Sequence, residues 1–122
     1  MEFIKANDII TLSNLGVDSE QLLFSENSIS ERVTITKVTV QPNAVQSRHA
    51  HLSSEQIWVA LEGHALLLLA NNETKSFDVG DVVRFADGDV HGLENKSADI
   101  FVYLSVTSPP INFRNAYKSE KP

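Results

Sequence analysis

The sequence predicts an all-β sandwich or barrel built as a single domain. Three observations carry this expectation. Segments of five to nine residues are rich in β-branched and aromatic side chains, and several alternate apolar with polar positions. Turn-forming groups such as Glu62-Gly63, Asn71-Asn72-Glu73 and Asp87-Gly88-Asp89 separate them. Finally, 122 residues with 42% hydrophobic and 21% charged composition suffice for one core and fit an ordinary globular chain.

Taken in order, residues 7–24 are the one stretch with helical character. Asp8 is placed to cap a short helix and Gly16 to end it. Residues 32–40 read as a strand with a change of parity near Lys37. Val33 and Ile35 share one face while Val38 and Val40 share the other, so a bulge or a change of sheet is expected there. Further strands are expected at 55–61, 64–70, 74–79, 81–86 and 99–106. Beyond 107–110, with its two prolines, the polar tail is expected to pack over the barrel as irregular chain or to fray.

Composition narrows the chemistry. The chain has no cysteine, which excludes disulfides, thiolate metal ligands and a thiol nucleophile. Its formal charge of -6 and scattered Lys and Arg argue against a nucleic-acid partner. No apolar run approaches the ~20 residues that cross a bilayer, and the first residues lack the pattern of a secretion signal. A cytoplasmic protein without a membrane partner is expected. Phosphate-loop, dinucleotide and serine-elbow motifs are all missing.

Four histidines remain, and two of them, His49 and His51, stand one residue apart before an apolar strand. On a strand, residues two apart share a face, so both imidazoles can converge on one ion. A third, His91, follows the tight turn at residues 87–89. His64 lies outside this pattern and reads as an ordinary strand or turn residue. Arg48 alternates with the histidines and is expected to point outward into a surface ion pair. Arg84, between Val83 and Phe85, reads as an outward charge or as a carboxylate clamp. Trp58, Phe101 and Tyr103 are expected to line the core or to touch a ligand.

Two ordered patterns in these segments resemble those of the cupins, double-stranded β-helix barrels of the jelly-roll type. The second cupin pattern is matched by Gly80, Gly88, His91 and Asn95, with Ala86 where Pro is usual. In the first, His49, His51 and Gly63 agree, Asn43 replaces the opening Gly, and Gln56 falls where an acid is usual. The likeness spans about residues 30 to 110. It implies a divalent ion (Zn, Ni, Fe, Mn or Co) held by His49, His51, Gln56 and His91. Strand parity sends Glu55 the other way, toward solvent or a subunit contact. Three imidazoles and an amide leave the ion's charge uncompensated, which suits a Lewis acid with two open positions in an octahedral field.

The stretch from Ile100 through Phe113 also resembles cupins akin to a bacterial pectin-degradation protein that linearises unsaturated uronates. Ser105 and Ile111 stand where that branch has an acid and an Arg, leaving Arg84 or Arg114 as substitutes. The resemblance implies a metal-dependent cupin acting on a small oxygenated metabolite such as a sugar acid. An Fe(II) or Ni(II) dioxygenase and a non-catalytic ligand-binding or regulatory module are the alternatives. Cupins commonly pair as homodimers, through a strand edge such as residues 8–14 or through the tail.

Overall fold

Strands occupy most segments where alternation is visible in the sequence. The computed structural model describes residues 1–121. Along the chain run β1 (Thr11–Asn14), β2 (Val17–Leu23), β3 (Thr34–Val40), β4 (Val45–His49), β5 (Glu55–Glu62) and β6 (His64–Leu69). They are followed by β7 (Thr74–Asp78), β8 (Val82–Phe85), β9 (His91–Glu94), β10 (Phe101–Ser108) and β11 (Ser119–Lys121). Two antiparallel sheets result, one in the order β11-β1-β2-β3-β10-β5-β8 and the other β4-β9-β6-β7. Phe77, Phe101, Leu67 and Leu93, each at most 2% exposed, fill the space between them. Among the described residues no helix is long and apolar enough to cross a membrane.

The helix expected over residues 7–24 is instead the hairpin β1–β2, after a single 3-10 turn at Ala6–Asp8. Gly16, at φ +75°, turns the chain, where a β-carbon would lie 2.8 Å from the Ala44 β-carbon. Val17, Ser19 and Gln21 alternate inward, so two buried polar residues hid a period of two.

No bulge interrupts β3. Its inward positions are Thr34, Thr36, Val38 and Val40, and its pairing with β10 is continuous from Val40 to Thr34. The irregularity lies across from it in β2, between Gln21 and Leu23. The inward threonines explain the misreading, since apolar residues alone mark the wrong parity. Thr34 resolves its hydroxyl by donating to the Ile111 carbonyl at 2.9 Å and accepting from the Ile111 N–H at 3.1 Å.

Two polar stretches escaped the sequence reading and form β4 and β9. Asn43, where cupins carry Gly, sits at φ +69°, a conformation that Asn tolerates better than other side chains. Its N–H donates to the Asn95 carbonyl at 2.7 Å. Asn95 is fully buried and donates to the carbonyls of Val40 at 3.0 Å and Asp99 at 2.8 Å. It thereby ties the β3–β4 turn to the loop before β10. Asn95→Ala leaves the buried Val40 carbonyl without this donor, so a loss of about 2 kcal/mol is expected in urea unfolding; an unchanged midpoint refutes that role.

The tail is more ordered than expected. It makes a 3-10 turn at Phe113–Ala116 and then returns as β11 against β1. Arg114 clamps both oxygens of Glu26, at 2.8 and 2.6 Å, and reaches Glu120 at 2.6 Å. This pairing pushes the Glu26 carboxyl down to about 2.

Candidate metal centre

The placement of the histidine pair depends on one irregularity in the backbone. Gln46 pairs with Leu93, and His49 pairs with His91, so β4 carries one residue more than β9 between these points. Gln46 faces inward, where its amide oxygen accepts the Tyr103 hydroxyl at 2.9 Å. Regular alternation would then turn Arg48 inward and His49 outward. The bulge reverses this, giving the inward positions to His49 and, just past the strand end, His51. Gly92 makes room for it. A β-carbon there would lie 2.6 Å from the Gln46 carbonyl oxygen and 3.0 Å from the Arg48 nitrogen. Arg48 points away from the histidines as expected, yet it forms no ion pair. Its guanidinium donates to the carbonyls of Leu69 at 2.7 Å and Glu73 at 3.3 Å.

His49, His51 and His91 converge, each offering a ring nitrogen within 4.8 Å of the others. Ring centroids are separated by 5.0 Å for His49–His51, 4.4 Å for His49–His91 and 5.2 Å for His51–His91. The Nδ1 atoms of His49 and His91 lie 2.8 Å from the Ser47 carbonyl and 2.9 Å from the Asp89 carbonyl. A carbonyl only accepts, so Nδ1 carries the proton and Nε2 keeps its lone pair in both rings. The Nε2 atoms of His51 and His91 are buried without a hydrogen-bond partner. Native proteins rarely leave buried nitrogens so, and a cation supplies what each lacks. The three histidines can therefore hold a metal ion.

Burial disfavours the charged imidazoles. It lowers the His51 pKa, with His49 adding to the effect, and lowers that of His91 to about 4 against a weaker opposing pull from the Asp89 carbonyl. An unfolded histidine protonates near 6.5. Between these values the unfolded chain binds more protons than the folded one, so stability present above pH 6.5 is lost as pH falls toward 4. For the metal-free protein the loss from His91 is on the order of 3 kcal/mol. Urea midpoints measured from pH 7 to pH 4 should show this decline, and His91→Phe, which keeps a ring against Phe85, should flatten it. Equal slopes for both proteins refute the assignment to His91.

Beside the histidines opens a cavity of about 390 Å³, bordered by His49, His51, Gln56, Trp58, Tyr103 and Ser105 among others. Gln56 is buried. Its amide oxygen accepts from the Trp58 indole at 3.1 Å, and its nitrogen donates to the Thr107 hydroxyl at 2.9 Å. Glu55 turns to the outer face and pairs with Arg84 at 2.6 Å. Arg84 is thus outside the cavity, engaged with the protein's own carboxylate. Phe101 is also away from it, fully buried between Phe77 and Tyr103. His64 is exposed and lies 3.1 Å from Asp78. The structure also brings in residues that the sequence reading missed, since Phe113, Ala116 and Tyr117 of the tail border the same cavity. The Phe113 ring meets the edge of His51 at 5.8 Å. Nothing local in that polar stretch signals such a role.

Comparison with known proteins agrees with this architecture. The structure of KdgF from Halomonas sp. superposes with a TM-score of 0.75 at 18% identity, covering 91% of this chain and 96% of that one. The polyketide cyclase RemF from Streptomyces resistomycificus gives 0.77 at 20% identity, over 89% of this chain and 80% of the other. A sugar phosphate isomerase of the cupin superfamily from Silicibacter pomeroyi gives 0.71 at 19% identity, over 87% and 74%. At these identities the likeness shows the fold. No curated protein matches the sequence. The family described as cupin domain matches residues 36–107, over half of a chain in which three histidines converge. The chain belongs to the cupin family.

Proposed function

We propose that His49, His51 and His91, with the Gln56 amide oxygen as fourth donor, hold a divalent ion at which a small oxygenated metabolite such as a sugar acid is bound and activated. The observation that carries this reading is the pair of buried, unpartnered Nε2 atoms beside a third imidazole. The ion would supply Lewis acidity toward a carbonyl or carboxylate oxygen.

The chain's own residues prepare the site. Backbone carbonyls of Ser47 and Asp89 set the tautomers of His49 and His91. Thr107 orients the Gln56 amide by accepting from its nitrogen, which turns the oxygen toward Trp58 and leaves one lone pair free. Trp58, Phe85 and Phe113 pack around the imidazoles and limit water. Among the compared structures, the one described as a sugar phosphate isomerase is consistent with a carbohydrate-derived substrate.

Elemental analysis of protein purified without a histidine tag tests the centre. Near one ion per chain is expected, with a fall of about tenfold or more in His91→Ala and a smaller fall in Gln56→Ala. Glu55→Ala, on the outer face, should keep its ion. Equally low metal in wild type and variants overturns the reading, and a loss in Glu55→Ala matching that of Gln56→Ala moves the fourth ligand by one residue.

A further inference from the structure

The wall of the cavity carries hydroxyls and no free charge. From this we infer that the site selects a ligand with an uncharged, polyhydroxylated body and rejects a second negative charge away from the histidines, with Thr36 and Ser105 as specificity-determining residues. The inference deepens the proposed function and rests on it for the ion end of the ligand.

Strand register places the hydroxyls. On the inner face Gln21 pairs with Thr36, Thr36 with Ser105, and Ser105 with Trp58. In the next row Ser19 pairs with Val38 and Val38 with Tyr103. Small barrels usually fill such positions with apolar side chains, because a buried hydroxyl without a partner costs free energy. Two neighbouring inward threonines meet this demand inside the protein. Thr34 bonds the Ile111 backbone, and Thr107 accepts from Gln56. Thr36 and Ser105 instead border the cavity, and among the described residues neither makes a side-chain hydrogen bond. Behind them the Gln21 amide oxygen is buried and unpartnered, while its nitrogen is held by Ser19. Val17, Val38, Val45 and Phe113 supply apolar contact for the carbon skeleton.

Three arginines that could have met an anion are committed elsewhere. Arg48 borders the cavity but donates to the Leu69 and Glu73 carbonyls. Arg84 is paired with Glu55, and Arg114 with Glu26 and Glu120. A phosphate or second carboxylate buried against Thr36 and Ser105 would lose its hydration without meeting an opposite charge. One negative charge can be met at the ion; another cannot be met in the wall.

Three six-carbon probes isolate this property: D-sorbitol without charge, D-gluconate with one carboxylate and D-glucarate with two. Trp58 is the only tryptophan and borders the cavity, so its fluorescence reports occupancy of the zinc-loaded, untagged full chain. Gluconate should bind, and glucarate at least about tenfold more weakly. Thr36→Val and Ser105→Ala should each weaken gluconate by about tenfold with zinc content unchanged. Glucarate bound as tightly as gluconate, variants that bind gluconate like wild type, or no saturable change with any probe would each overturn the inference. Zinc content separates the two failures. Protein that holds no zinc sinks the metal reading and this inference with it, whereas zinc-loaded protein that accepts glucarate sinks the inference alone.

Discussion

Zinc added to the metal-free protein at a hundred times its dissociation constant should raise the thermal midpoint by about 10 °C, and His91→Ala should abolish the rise. An ion that binds only the folded state stabilises by about 2.7 kcal/mol at that excess. A domain of this size gains roughly 4 °C for each kcal/mol. His91 is central because it is 1% exposed, stacks on Phe85 with centroids 4.5 Å apart and has a buried Nε2 without a hydrogen-bond partner. The variant opens a gap and is less stable at the outset. The comparison is therefore the shift on adding zinc in each protein, not the absolute midpoint. No shift in wild type, or equal shifts in both, refutes the centre.

Gly92→Ala should cost about 3 kcal/mol and lower zinc content by about tenfold, although the substituted side chain touches no ion. The new β-carbon would meet three backbone atoms, the Gln46 oxygen at 2.6 Å, the Arg48 nitrogen at 3.0 Å and the Ser47 carbonyl carbon at 3.0 Å. None can swing aside as a flexible side chain would. Either β4 and β9 part, or the bulge straightens and returns His49 to the outer face. Gly80→Ala is the control. Its φ of +91° carries strain of about 1–2 kcal/mol, but nothing lies within 4 Å of the added carbon. That variant should lose some stability and keep its zinc. Full zinc occupancy in Gly92→Ala would show that the bulge does not aim His49.

Much of this architecture is visible in the sequence because two kinds of signal are local. Alternation marks β5 through β8 and β10, and the spacing of His49, His51, Gly63, Gly80, His91 and Asn95 marks the site. The parity argument that separates Gln56 from Glu55 needs only a strand, and the two side chains do face opposite sides. Other features depend on contacts distant in the chain. The β1–β2 hairpin is obscured because Ser19 and Gln21 take buried positions that alternation assigns to apolar residues. The bulge in β4 is a backbone event signalled only by Gly92, more than forty residues later. The partners of Arg48 and Arg84 are not local either, since one donates to the Leu69 and Glu73 carbonyls and the other meets Glu55 on the neighbouring strand β5. Phe113 and Tyr117 reach the cavity because distant contacts hold the tail over it, with Arg114 on Glu26 and Glu120, Ile111 on Thr34 and β11 on β1.

That last arrangement divides the binding site by origin. The imidazoles come from β4, β9 and the turn between β4 and β5, while part of the outer wall comes from a stretch after β10 that contributes no histidine. The histidines and part of the cavity wall thus lie on separate pieces of chain. A different sequence over residues 112–118 would reshape that side of the cavity without replacing a histidine, a route by which kindred barrels can diverge.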